Sequence, residues 1–93
     1  MITRDIVINV CFGGFSVSKA ACEHMGIEWD GYGHMSELSR DDARLVSAVR
    51  ELGASANGAH AKLRIVTIPA DVNWQIEEYD GNEHIAEVHR TWS

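Results

Sequence analysis

At 93 residues the chain has room for one modest domain. A chain this short buries only about 60 % of the surface its unfolded form exposes, so its core is thin and self-association is an attractive further source of stability. Hydrophobic residues make up 45 % and charged residues 24 %, which argues against disorder and predicts one folded domain over residues 1–93, while the formal net charge of -6 repels long polyanions and speaks against a nucleic-acid groove binder.

The first residues, Met1-Ile2-Thr3-Arg4-Asp5, carry an acid and precede only a short apolar run, which predicts neither a signal peptide nor a membrane span. From Asp5 to Phe12, Ile6, Ile8 and Val10 alternate with Val7, Asn9 and Cys11; both faces are largely apolar, the pattern of an inner strand. Gly13-Gly14 breaks the run. Ser16 or Ser18 then caps a helix reaching about Met25, with Gly26 as its stop. Residues 27–38 hold Gly31, Gly33, Trp29 and Tyr32 without useful periodicity, and read as a loop.

Ser39 before Arg40-Asp41-Asp42 predicts a second helix, with a hydroxyl cap and two acids in the first turn. Its apolar stripe is Leu45, Val46, Val49 and Leu52, and Gly53 ends it. Ser55-Ala56-Asn57-Gly58 predicts a turn, and Lys62 to Ile68 a strand that Pro69 interrupts. Trp74–Tyr79 and 84–92 flank Asp80-Gly81-Asn82, a hairpin signal. The order β-α-α-β-β-β predicts an α+β fold: a four-stranded, mostly antiparallel sheet with two helices packed on one face.

The corner Phe12-Gly13-Gly14-Phe15-Ser16 is the leading candidate site. Glycines let backbone approach a ligand, a following helix N-terminus favours an anion, Ser16 offers a hydroxyl, and Phe12 and Phe15 offer stacking faces for a base. The competing reading is a tight turn with core phenylalanines and capping serines. No Gly-Lys-Ser/Thr ending follows, so this is no Walker loop. Arg4 and Arg90 would clamp phosphates if the first and last strands were neighbours, against the alternative of edge arginines paired with Glu77, Glu78 or Glu87. Asn57 offers an amide to a base edge or ribose, or simply makes a turn.

Metal and cysteine chemistry find little support. The histidines at positions 24, 34, 60, 84 and 89 include no i, i+4 pair, and an odd separation puts His84 and His89 on opposite strand faces. Cys22 and His24 diverge by about 200° on a helix, and Cys11, in an apolar strand, is expected to stay inert. Two cysteines without a pairing pattern indicate reduced thiols and a reducing cytoplasm. Glu77, Glu78, Asp80 and Glu83 crowd the hairpin, where they form a solvated acidic tip or, in the sharper reading, a cation site or acid/base pair. Trp74 and Trp92 suit a core or an interface, and Trp29 and Tyr32 either a lid or ordinary loop packing.

Three stretches together carry a resemblance: 9–16 (Asn-Val-Cys-Phe-Gly-Gly-Phe-Ser), 56–63 (Ala-Asn-Gly-Ala-His-Ala-Lys-Leu), and 76–81 with 87–92. The chain resembles the first-described phage anti-Thoeris sponge family, with the similarity spread over most of its length. The resemblance implies a non-enzymatic, cofactor-free protein that sequesters glycocyclic ADP-ribose signals made by TIR-domain enzymes in the cytoplasm of the infected host. Some members also hold cyclic oligonucleotides. It further implies homo-oligomers, dimers and in some cases hexamers, with ligands held between subunits. Two other classes remain: a small enzyme cleaving a nucleotide or glycosidic bond with the hairpin carboxylates, and a phage protein that binds a host protein through its Trp-bearing strands.

Overall fold

The computed structural model describes residues 2–31, 33 and 38–88. Its elements are β1 (Thr3–Asn9), α1 (Lys19–Met25), α2 (Ala43–Leu52), a 3-10 turn (Gly53–Ala56), β2 (Leu63–Pro69), β3 (Trp74–Tyr79) and β4 (Asn82–Glu87). The α+β class and the element order agree with the sequence reading. The four antiparallel strands, however, form two separate ladders, β1–β2 and β3–β4, and not one four-stranded sheet.

The reason lies along the free edge of β1. Where a third strand would dock, the Val7 amide donates to the Arg40 carbonyl at 2.8 Å, and Arg40 Nη1 donates back to the Val7 carbonyl at 3.3 Å. Farther along, the Asn9 amide donates to a side chain, Glu83 Oε1, at 2.7 Å. Backbone groups that a sheet would pair are thus satisfied by one loop residue and one carboxylate. β4 lies against β1 without a ladder between them.

Alternation in β1 and β2 places Val7, Leu63 and Ile65 on one face, where they join the helices. Val17, Ala21, Cys22, Met25, Leu45, Val46, Ala48, Val49 and Ala56 complete that core. The predicted α2 stripe is therefore its packing face, with Leu52 at the margin. Ile6 and Ile8, on the opposite face of β1, are buried too, which explains why both faces of this strand read as apolar.

Helix ends follow local chemistry. Ser18, not Ser16, caps α1: its Oγ accepts from the Ala21 amide at 3.1 Å, and Gly26 closes the helix in the left-handed region at φ 71. Ser39 does not cap α2, because its hydroxyl donates to Asp41. The chain turns once more, and Asp42 becomes the cap, accepting from the Arg44 amide at 2.8 Å, so no acid remains in the first helical turn. The hairpin turn is Asp80-Gly81 at φ 50 and 86, the two-residue turn whose twist suits antiparallel strands. β4 runs Asn82–Glu87, so Asn82 is the first residue of the strand and not part of the turn as expected, and positions 89–92 of the predicted strand lie outside the described residues. Among the described residues no helix is long and apolar enough to cross a membrane.

Candidate functional site

β1 delivers the chain into the corner, but it stops at Asn9, so Cys11 lies in the bend beyond the strand and not in its apolar ladder as expected. Asn9 is fully buried and fastens three pieces of chain to β1: the corner, the β3–β4 hairpin and the approach to β2. Its Nδ2 donates to the Cys11 carbonyl at 2.8 Å and to the Gly81 carbonyl at 2.7 Å. Its Oδ1 accepts from the Lys62 amide at 2.8 Å, and its own amide goes to Glu83. The Cys11 thiol donates to the His60 carbonyl at 2.9 Å.

Glu83 overturns the picture of a wholly solvated acidic hairpin. It is 6 % exposed and receives both Arg40 nitrogens, at 2.7 and 2.9 Å, as well as the Asn9 amide. Such a bidentate pair offsets the desolvation of a buried carboxylate. The Arg40 guanidinium also stacks 3.6 Å from the centroid of the Phe15 ring. Among the described residues no buried side-chain nitrogen or oxygen lacks a partner. The sequence reading missed Asn9, Arg40 and Glu83 as a unit. One signal was present: the Asp-Gly turn fixes a register that sets Glu83 opposite Glu78, two like charges whose proximity calls for a cation.

Glycines let these backbones meet. A methyl group on Gly13 would collide with the His60 carbonyl, and one on Gly81 would lie 2.5 Å from the Gly14 nitrogen. The corner and the hairpin tip together bound an open groove of about 560 Å³, lined by Phe12, Gly13, Gly14, Glu78, Asp80 and Gly81.

The predicted site residues divide accordingly. Phe12 is 67 % exposed at the lip of the groove, with Gly13 and Gly14 behind it. Phe15 packs against the core with Arg40 over one ring face. Ser16 is buried, and its carbonyl accepts from the Gly58 amide at 3.1 Å. Asn57 bridges to Val17, and its Oδ1 accepts from the Leu63 amide at 2.9 Å, so its side-chain acceptor serves the fold. Arg4 lies within β1, not before it, about 17 Å along the strand from Asn9, and faces Asp41 at 3.6 Å. Arg90, like Tyr32, His34, His89 and Trp92, lies outside the described residues. Trp29 packs against the core.

Two expectations about chemistry change. α1 starts at Lys19, five residues past Gly14, so the glycine corner and the helix N-terminus are separate features. The hairpin wall of the groove contributes Glu78 and Asp80, so its polar groups are acceptors and its charge is negative. Elsewhere, burial and then the nearby Asp30 push the Cys22 thiol above its ordinary value, which keeps it protonated and unreactive at neutral pH. Among the described residues no three His, Cys, Asp or Glu side chains are grouped to hold a metal ion. No family model, curated protein or solved structure matches the chain.

Proposed function

We propose that the chain binds a cyclic nucleotide immune signal of the glycocyclic ADP-ribose type and holds it without cleaving it, as a phage anti-defence sponge in the cytoplasm of an infected bacterium. The observation that carries this reading is the exposed Phe12 ring beside a groove floored by glycine backbone. An exposed aromatic face takes a base by stacking, and close backbone approach suits a flat ligand. Glu78 and Asp80 are acceptors for an exocyclic amine and ribose hydroxyls, so the nucleoside end sits here and the phosphates point away from the hairpin. One copy leaves the groove open; a second copy of the chain encloses it, in keeping with the oligomers of the family the sequence resembles. Sequestration of this kind requires no cofactor and no activated nucleophile.

The test is direct. The protein is incubated with cyclic ADP-ribose isomers, freed of unbound ligand and heated, and the released nucleotide is analysed by chromatography and mass spectrometry. Intact release is expected. Converted product identifies an enzyme, and failure to retain any isomer overturns the reading. Phe12→Ala is expected to weaken binding by about 1–3 kcal/mol, roughly five- to 150-fold, with an unchanged melting temperature because the ring is exposed.

A further inference from the structure

We propose that the β3–β4 hairpin and the glycine corner open and close as one unit, separately from the helix-side core, with Asn9, Glu83 and Arg40 as the latch between them. The inference does not depend on which ligand the groove takes. Among the described residues the hairpin is a two-stranded ladder with no hydrogen-bonded strand beside it, and such a ladder is marginal alone. Its apolar side chains Trp74, Ile76 and Ile85 are only half buried and take no part in the helix-side core. What ties its tip down is polar: the Gly81 carbonyl on Asn9 Nδ2, and the Glu83 carboxylate on Arg40 and the Asn9 amide.

The Asn9 side-chain Nδ2 that holds Gly81 also donates to the Cys11 carbonyl, at the start of the corner. Losing the tip therefore removes one of the two hydrogen bonds that this nitrogen donates. Backbone packing adds a second coupling, because the Cα of Gly81 faces the Gly14 nitrogen and the Phe12 carbonyl so closely that a Cβ there would reach 2.5 and 2.9 Å. The corner cannot shift far while the hairpin tip remains seated. Segments bound to one another more tightly than to the rest of a fold exchange as a cooperative subunit.

Native-state hydrogen exchange of the wild-type chain in low denaturant tests this. The reporters are the Lys62 and Val10 amides for the corner, which bond Asn9 Oδ1 and the Lys62 carbonyl, the ladder amides of β3 and β4 for the hairpin, and the Val46–Val49 amides for α2. Corner and hairpin reporters are expected to share one opening constant within about threefold, at least tenfold larger than that of α2. Glu83→Gln, of the same shape and still an acceptor for the Asn9 amide, is expected to quicken both sets by the same factor and leave α2 unchanged. Arg40→Lys keeps the charge but loses the two-pronged contact, and is expected to act the same way. Hairpin exchange that quickens alone, or all three sets opening together in the wild type, would overturn the proposal.

Discussion

Glu83 is a carboxylate with almost no access to water, and its tolerance depends on two donors from Arg40 and one from the Asn9 backbone. Removing one member of such a pair strands the other charge. Glu83→Ala is therefore expected to lower the unfolding free energy by about 3 kcal/mol in urea titrations, and the apolar pair Arg40→Met with Glu83→Leu to recover only part of the loss, because the Asn9 amide is left without its acceptor. The two corner glycines separate two kinds of constraint. Gly14 sits at φ 86 with open space around it, so Gly14→Ala meets only backbone strain of about 1–2 kcal/mol. Gly13 faces the His60 backbone, so Gly13→Ala is expected to depress the melting temperature more than Gly14→Ala does. At this scale the sequence was least informative. Nothing local distinguishes Glu83 from Glu77 or Glu78 as the buried acid, because its burial is decided by Arg40, 43 positions away.

Elements whose signals are local were legible: the Gly26 stop of α1, the apolar stripe of α2 and the Asp-Gly hairpin stand where pattern and capping place them, and the α1 cap is one of the two serines, Ser16 and Ser18, that the sequence offers. The start of α2 was not, since Ser39 and Asp42 are equally good caps on paper and a neighbouring acid captures the serine hydroxyl. Between elements, Asp5 joins β1 to both β2 and α2, accepting from Thr67 Oγ1 at 2.7 Å and from Arg50 Nη2 at 2.6 Å. The Thr67 bond, then the Arg50 bond, hold its carboxyl below the usual aspartate value. A depressed folded pKa means a contribution to stability that is complete above the unfolded value of about 3.9 and is lost as pH falls through the lower folded value. Asp5→Asn is accordingly expected to be less stable than the wild type at pH 7, with the difference shrinking below about pH 4 in denaturant midpoints measured across that range.

On the scale of the whole molecule, class and chain order were readable because they need only periodicity and turn chemistry. The division into two ladders was not, because it turns on which groups satisfy the outer edge of β1. The candidate site shows the same limit. Phe12, Gly13 and Gly14 share the groove as their sequence proximity suggests, whereas Arg4 stands at the far end of β1 and the acidic wall comes from a hairpin distant in sequence. That sealed edge also bears on behaviour at high concentration. Ile6-Val7-Ile8 is a β-branched segment of the sort that recruits a second chain when its amides are free, and here the Val7 and Asn9 amides are stoppered by Arg40 and Glu83. Arg40→Gly is expected to loosen that cover while leaving the strand sequence intact. Light scattering should then rise with time and thioflavin fluorescence should appear at concentrations where the wild-type solution stays clear, marking one arginine as a safeguard against fibril growth.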